Sequence, residues 1–515
     1  MQLTNSVVAQ RSAYNRMLAP SCGHLNDIEC ESCKELTGIE TQLEERHHQA
    51  LVKRNYVHSP LIHQFPFEIN TCIFLLAFPP QEACGYIPHE KVSPLILTKV
   101  CQTWRALALS TPRLWSSISF DTENPNFPLL NHQIAHSGAV PLTIFLASGL
   151  ASKQERSLAN ATQAMSIIIK QLHRVVSLYL LFTEEVAMAC GSISGLDYPK
   201  TAPLLEDLHF HFLDHGPGSF QLRLAIEPPR PRQVTLNSIS FDQICLDWSN
   251  VSSLTLNSCY VHGQPPTLKS LEHLVLEHTC WDLPEERLPV VNHSIQHVTL
   301  EDSDDDLMLT LTLPSLRTLD VDINDTETFG IVCDFLLRSL CPLQALHIQY
   351  ANPYDDYDAT QVIQALLGVL EITKELQHLT LRFLAVSFVN IPSSNFEPLV
   401  RRFSESSQNG GFLPHLQTLT LETRSIPPID LLLDAMTFNP FPSEILNGPN
   451  KERLLRTLNL ELCIPFDEVG PIRQDVLVRV LQIRATGKNI SITCTQPDGT
   501  DLVEHWKSSY GIGEG

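Results

Sequence analysis

The stretch Leu271-Glu272-His273-Leu274-Val275-Leu276-Glu277 is answered by Ile295-Gln296-His297-Val298-Thr299-Leu300-Glu301 and again by Leu316-Arg317-Thr318-Leu319-Asp320-Val321-Asp322. All three share one frame, apolar-x-x-apolar-x-apolar. Its second half alternates apolar and polar residues, the period of a strand with one buried side. One such strand cannot close a core, so the copies must bury one another. Working outward, the frame recurs as Val175-x-x-Leu178-x-Leu180, Leu205-x-x-Leu208-x-Phe210 and Val251-x-x-Leu254-x-Leu256. It continues as Leu343-x-x-Leu346-x-Ile348, Leu376-x-x-Leu379-x-Leu381, Leu416-x-x-Leu419-x-Leu421 and Leu455-x-x-Leu458-x-Leu460, with a weaker copy at Val234-Thr235-Leu236. From Val251 to Leu343 the copies start about 20 to 27 residues apart, and later ones stretch to about 40, which leaves room there for longer helices or loops.

The frame resembles the leucine-rich repeat, in an irregular form running from about Lys170 to Cys494. The resemblance implies an α/β solenoid, with parallel strands on a concave side and helices and loops on a convex side. The repeats are expected over 171–495, with a C-terminal tail at 496–515. Helices are expected at Thr328 to Leu340, Ala359 to Ile372, Phe396 to Glu405, Ile429 to Met436 and Arg473 to Ala485. In such repeats the ninth position often holds Asn or Cys, which satisfies loop backbone groups. Here it holds Cys259, Asn324 and Cys463, with Thr279 and Ser303 as substitutes. Trp115-x-x-Ile118-x-Phe120 and Val140-x-Leu142-x-Ile144-x-Leu146 read as first strands. They would form an N-terminal cap over 116–170, with a helix at Asn131 to Gly138, because an end repeat must cover the open core.

Upstream lie Phe65-Pro66-Phe67-Glu68-Ile69, then Leu97-Thr98-Lys99-Val100-Cys101-Gln102-Thr103-Trp104-Arg105-Ala106-Leu107-Ala108, then Pro112-Arg113-Leu114-Trp115. Pro66 suits a helix start, and Glu68 suits the positive end of the helix dipole. Ile69, Ile73, Leu76 and Ala77 follow at helical spacing. A second helix is expected after Ser93-Pro94, with Leu97, Val100, Cys101 and Trp104 on one apolar face. Such short helices need a partner or a following domain to bury their faces.

This stretch, 58–115, resembles the F-box of the fungal type. The resemblance implies docking onto the Skp-type adaptor of a cullin-RING ubiquitin ligase. Phe65, Pro66, Ile69, Leu97, Val100, Cys101 and Trp104 would support that docking, some by contact and some by holding the helices. The chain departs from the usual pattern in carrying Phe65 where leucine precedes the proline and Asn70 where leucine is common, and in the longer linker from Gln81 to Glu90. An F-box ahead of leucine-rich repeats implies the substrate receptor of a Skp–cullin–F-box ligase. The alternative is a repeat scaffold that binds proteins with no ligase attached. Ahead of the F-box, 27–57 reads as one helix or a short coiled coil, with Leu36, Ile39, Leu43, Ala50 and Leu51 near one face. Residues 1–26 read as a flexible N-terminus.

Composition bounds the rest. The 515 residues are 43% hydrophobic, enough for a large core. No apolar run reaches membrane-spanning length, and Met1 to Arg16 lacks a secretory pattern. The 14 cysteines are scattered, as reduced thiols in an intracellular protein, cytoplasmic or nuclear, would be. A net charge of −22 argues against nucleic acid as a partner. No enzyme motif assembles. Gly191-Ser192-Ile193-Ser194-Gly195 has isoleucine at the nucleophile position, and His47-His48 lacks a partner. No cofactor or metal is expected. Cys22, His24, Cys30 and Cys33 lack a second pair at finger spacing, and His273 and His297, whose rings could touch, have only carboxylates such as Glu272 nearby.

Strand positions facing away from the core should form columns. One column reads Asn257, Glu277, Glu301, Asp322, Gln349, Arg382, Glu422 and Glu461, and Asp320 adds to its acids. Glu277, Glu301, Asp320 and Asp322 are therefore the candidate contacts for a basic segment of a protein target, with Asp302, Asp304, Asp305 and Asp306 in the adjoining loop. A solvated acidic face is the plainer alternative.

Overall fold

The computed structural model describes residues 31–58, 65–78, 94–148, 155–191, 199–213, 221–262, 268–282, 290–303, 306–350, 359–383, 396–409, 412–424, 427–437, 455–463, 472–494 and 501–510. The expected flexible N-terminus, the 81–90 linker, the Ser93 cap, Cys22, His24, Cys30, Ile193, Asp304 and Asp305 lie outside them. The chain divides into two compact units. The first ends at Trp115 and also takes His136–Gly138; the second holds the remainder.

In the first unit, helix α1 (Glu31–His58) leaves Leu36, Ile39, Leu43 and Val52 each more than half exposed. Helix α2 (Phe67–Ala77) starts behind Pro66 and carries Glu68 in its first turn. Its buried side is Asn70 and Phe74, not the expected Ile69–Ile73–Leu76 line; Ile69 and Leu76 face solvent. On this side Phe74 joins the core, and the Asn70 side-chain amide donates to Phe65 O at 3.1 Å, so its polar group is satisfied where it is buried.

The single second helix expected after Ser93-Pro94 is instead two pieces, a 3-10 turn (Pro94–Lys99) and helix α3 (Gln102–Leu109). Cys101 causes the break, because its backbone is extended and its sulfur accepts the Trp104 N–H as an N-cap. Leu97 and Val100 therefore point differently, Leu97 buried and Val100 51% exposed. A second 3-10 turn (Pro112–Trp115) closes the unit. Its core is Phe74, Leu97, Leu107, Ala108, Leu114 and Trp115. Trp104 packs edge-on against Phe74, centroids 4.9 Å apart. The Trp115 indole donates to Ala108 O at 2.8 Å, which satisfies its one polar atom inside the core.

The second unit is built on one 14-stranded sheet. Its strands are β1 (Ser117–Asp121), β2 (Leu142–Ala147), β3 (Val175–Phe182), β4 (Asp207–Phe212), β5 (Gln233–Asn237), β6 (Ser253–Asn257) and β7 (His273–Glu277). They continue as β8 (His297–Glu301), β9 (Thr318–Ile323), β10 (Ala345–Tyr350), β11 (His378–Phe383), β12 (Thr418–Thr423), β13 (Thr457–Leu462) and β14 (Asn489–Cys494). Each strand pairs in parallel with its neighbour in sequence. Parallel pairing forces a crossover between every two strands, and the return segments supply it.

Every apolar frame position is buried. Leu316, Leu319 and Val321 are at most 1% exposed, as are their neighbours Leu346 and Ile348. Helices on the return segments share that core: α4 (Phe127–His136), α5 (Glu155–Gln171), α6 (Glu184–Gly191), α7 (Thr326–Ser339), α8 (Ala359–Ile372), α9 (Glu397–Asn409), α10 (Ile429–Thr437), α11 (Gln474–Ala485) and α12 (Leu502–Ser509). The later helices lie within a few residues of the expected ranges. The stretch expected as a C-terminal tail contributes α12, which buries Leu502, Val503 and Trp506.

The strand ends differ between the two halves of the sheet. After β5 to β8 the chain turns through a left-handed residue, Ser238, Ser258, His278 and Asp302. Three of these still extend the ladder, Ser238 N–H to Asn257 O at 2.9 Å, Ser258 N–H to Glu277 O at 2.8 Å and His278 N–H to Glu301 O at 2.8 Å. The ninth frame residue then reaches back one strand. Cys259 Sγ bonds Leu236 O at 3.4 Å, Thr279 Oγ1 bonds Leu256 O at 3.2 Å and Ser303 Oγ bonds Leu276 O at 3.0 Å. Asn324 does not take this place. Strand β9 runs one residue longer and buries Ile323 where the earlier strands turn, so Asn324 is exposed and its amide meets Asp302 Oδ1 at 3.4 Å. Cys463 follows another long strand, and its backbone N–H bonds Thr423 O at 2.8 Å.

Candidate functional site

One face of the sheet is filled by the return segments, and the other carries the polar alternates of the strands. The register places these in columns. The outermost reads Asn257, Glu277 and Glu301 across β6, β7 and β8, and Gln349, Arg382, Glu422 and Glu461 from β10 onward. Asp322 occupies the same column on β9, since it pairs with Gln349. Asp320 stands one column inward, paired with Thr299 and His347. The structure thus brings Glu277, Glu301, Asp320 and Asp322 together on three adjacent strands.

Their electrostatics follow from burial first and, at Asp322 and Glu301, from crowding second. Burial raises the Asp322 carboxyl to about 6, and the charges of Glu301, Asp302 and Asp320 push the same way. Burial also lifts Asp320, opposed by His347 and Arg382. Glu301 is raised by burial and then by Glu277 and Asp320. His278 and Arg382 act on Glu301, and His347 and Arg382 on Asp320, without offsetting burial. Arg382 on β11 is drawn toward Glu422, its Nε 2.9 Å from Glu422 Oε2. Burial works against its charge, and the Glu422, Asp320 and Glu461 carboxylates more than offset this. Asn257 donates to Glu277 at the other edge.

Sequence reading missed a second feature of this face. Phe145, Tyr179 and His209 occupy one column on β2, β3 and β4. Their rings stack flat, with centroids 4.2 Å apart at both steps and interplanar angles of 9° and 10°. The signal existed: each is the residue between two buried apolar positions of its strand. His273 and His297 also stack, at 4.4 Å, but among the described residues no group of three His, Cys, Asp or Glu side chains could hold a metal.

In the first unit, Phe65, Phe67, Ile69, Ile96 and Val100 are each more than 40% exposed, beside the exposed Pro66. Leu97, Cys101 and Trp104 belong to the interior as core residue, cap and ring contact. Burial pushes the Cys190 thiol up to about 12 and Cys341 to about 11, far from the range of reactive thiols. No described helix is long and apolar enough to cross a membrane. No family model and no curated protein matches the chain.

Proposed function

We propose that this chain is the substrate receptor of a Skp–cullin–F-box ubiquitin ligase in the cytoplasm or nucleus. In this reading residues 58–115 are an F-box and the parallel sheet with its return helices is an irregular leucine-rich-repeat domain. The observation that carries it is the exposed apolar set Phe65, Phe67, Ile69, Ile96 and Val100 on a small unit that already has a closed core. Short helices that keep apolar side chains outside their own core suit a partner that covers them. The repeats would hold the target at Glu277, Glu301, Asp320 and Asp322 through a basic segment, since carboxylates held close together in a partly dry site favour a cation between them. The chain supplies no catalytic side chain in this scheme. It raises the effective concentration of the target beside the ubiquitin-carrying enzyme.

The test is co-expression with a Skp-type adaptor, for the wild-type chain and for Ile69→Asp and Val100→Asp. These sites are exposed, so the charges leave the core intact, whereas Trp104→Ala would loosen the packing on Phe74. Co-purification that both variants lose supports the receptor. A folded wild-type chain that never captures the adaptor favours the scaffold without a ligase.

A further inference from the structure

The aromatic stack and the acidic cluster share one face, and what lies between them is informative. Starting from His209, the register partners on successive strands are Thr235, Thr255, Val275 and Thr299, and the next is Asp320. All four intervening side chains are small and half-exposed. They form a low floor with a flat ring at one end and carboxylates at the other. The Tyr179 ring is covered on both faces by its stacking partners. His209 ends the stack, and its outer face borders Thr235, which is too small to cover it. A planar group placed over Thr235 would extend the stack by one ring.

We propose that this floor seats an extended segment of the target protein, with an aromatic side chain against His209 and, about four to seven residues further on, lysine or arginine among the carboxylates. The inference rests on the target-binding reading of the acidic cluster and adds the aromatic anchor and the spacing. Strands lie about 4.8 Å apart. From β4 the cluster begins three strands away, about 14 Å, and ends five strands away, about 24 Å. An extended chain covers about 3.3 Å per residue, which sets the spacing. Charge complementarity selects the basic end, because the cluster lies on β7 to β9 and Arg382 is already held by Glu422. Burial lowers the His209 pKa despite the Asp207 charge, so the ring is neutral at physiological pH and offers an uncharged face.

Three fluorescein-labelled octapeptides test this on the full chain by fluorescence anisotropy at low salt. The probe is Trp-Ser-Gly-Ser-Lys-Arg-Lys-Arg. One control replaces tryptophan by alanine, and the other is Ser-Gly-Ser-Trp-Lys-Arg-Lys-Arg. The probe should bind about tenfold tighter than either control, the gain of one well-stacked ring. Thr235→Leu, which fills the space beside His209 without adding charge, should remove that advantage. His209→Ser should do the same if the leucine variant melts early. Asp320→Asn with Asp322→Asn should weaken all three peptides. Equal, acid-dependent binding of the three overturns the aromatic anchor and leaves the acidic reading standing. No acid-dependent binding of any peptide overturns both.

Discussion

Replacing Asp322 by asparagine should stabilise the second unit at neutral pH. An ordinary aspartate titrates at 3.8, and Asp322 at about 6. At about 1.4 kcal/mol per pH unit, the ionised form costs at most about 3 kcal/mol. The side chain is half-buried, so water and salt screen part of this, and a gain of about 1–2 kcal/mol is the working figure. The sign follows from proton counting. Between about pH 4 and pH 6 the folded chain holds a proton that the unfolded chain has lost, so stability falls as pH rises through this window. Asparagine has no charge to desolvate, and its oxygen can still accept the backbone hydrogen bond from Asp302. Urea unfolding of both proteins at pH 7.5 and pH 4.0 measures the difference. The gain should be present at the first pH, absent at the second, and smaller in 1 M salt. A variant less stable than wild type at pH 7.5, or a gain independent of pH, would refute the crowding argument. A confirmed gain would mean that the protein forgoes stability to keep a carboxylate there, as binding sites commonly do.

Other perturbations probe the scaffold. Leu319→Ala removes a fully buried side chain from the middle of the sheet and should cost about 2–5 kcal/mol in the same unfolding assay. Thr279→Val keeps the shape but removes the hydroxyl bonded to Leu256 O and Glu277 O; a loss of about 1–2 kcal/mol is expected, and Thr279→Ser should restore most of it. Trp115→Phe deletes the indole bond to Ala108 O and should lower the melting temperature of the first unit, read by the near-ultraviolet dichroism of Trp104.

The sheet was legible because its strands announce themselves. Each frame pairs period-two alternation with a buried leading residue, and a one-residue slip would expose every leucine. The columns followed from the same frame, so Glu277, Glu301 and Asp322 could be aligned before any coordinates. The aromatic stack was equally available but went unread, because Phe145, Tyr179 and His209 sit about 30 residues apart and resemble each other only once their strands are in register. In the first unit, periodicity misled. Leu97, Val100, Cys101 and Trp104 fit one helical face, yet a cysteine cap breaks the helix between them. The inward side of α2 includes Asn70, a polar residue that hydrophobic spacing ignores. Helix α5 was missed because its buried side begins with Ser157, Ala161 and Ala164, whose small or polar side chains give a faint pattern.

The turns after β5 to β8 set where the molecule can be cut. Three of these four left-handed turns donate their N–H forward to the next strand, and Cys259, Thr279 and Ser303 bond backward to the strand before. A break between β6 and β7 would therefore strip Ser258 N–H of its acceptor and Thr279 Oγ1 of one of its two, besides opening the strand ladder. Stability in this region belongs to the junctions as well as to the strands they join. A fragment that stops inside β5 to β8 should be markedly less stable than its length implies, whereas a split chain whose halves are co-expressed should find its partner by the same bonds.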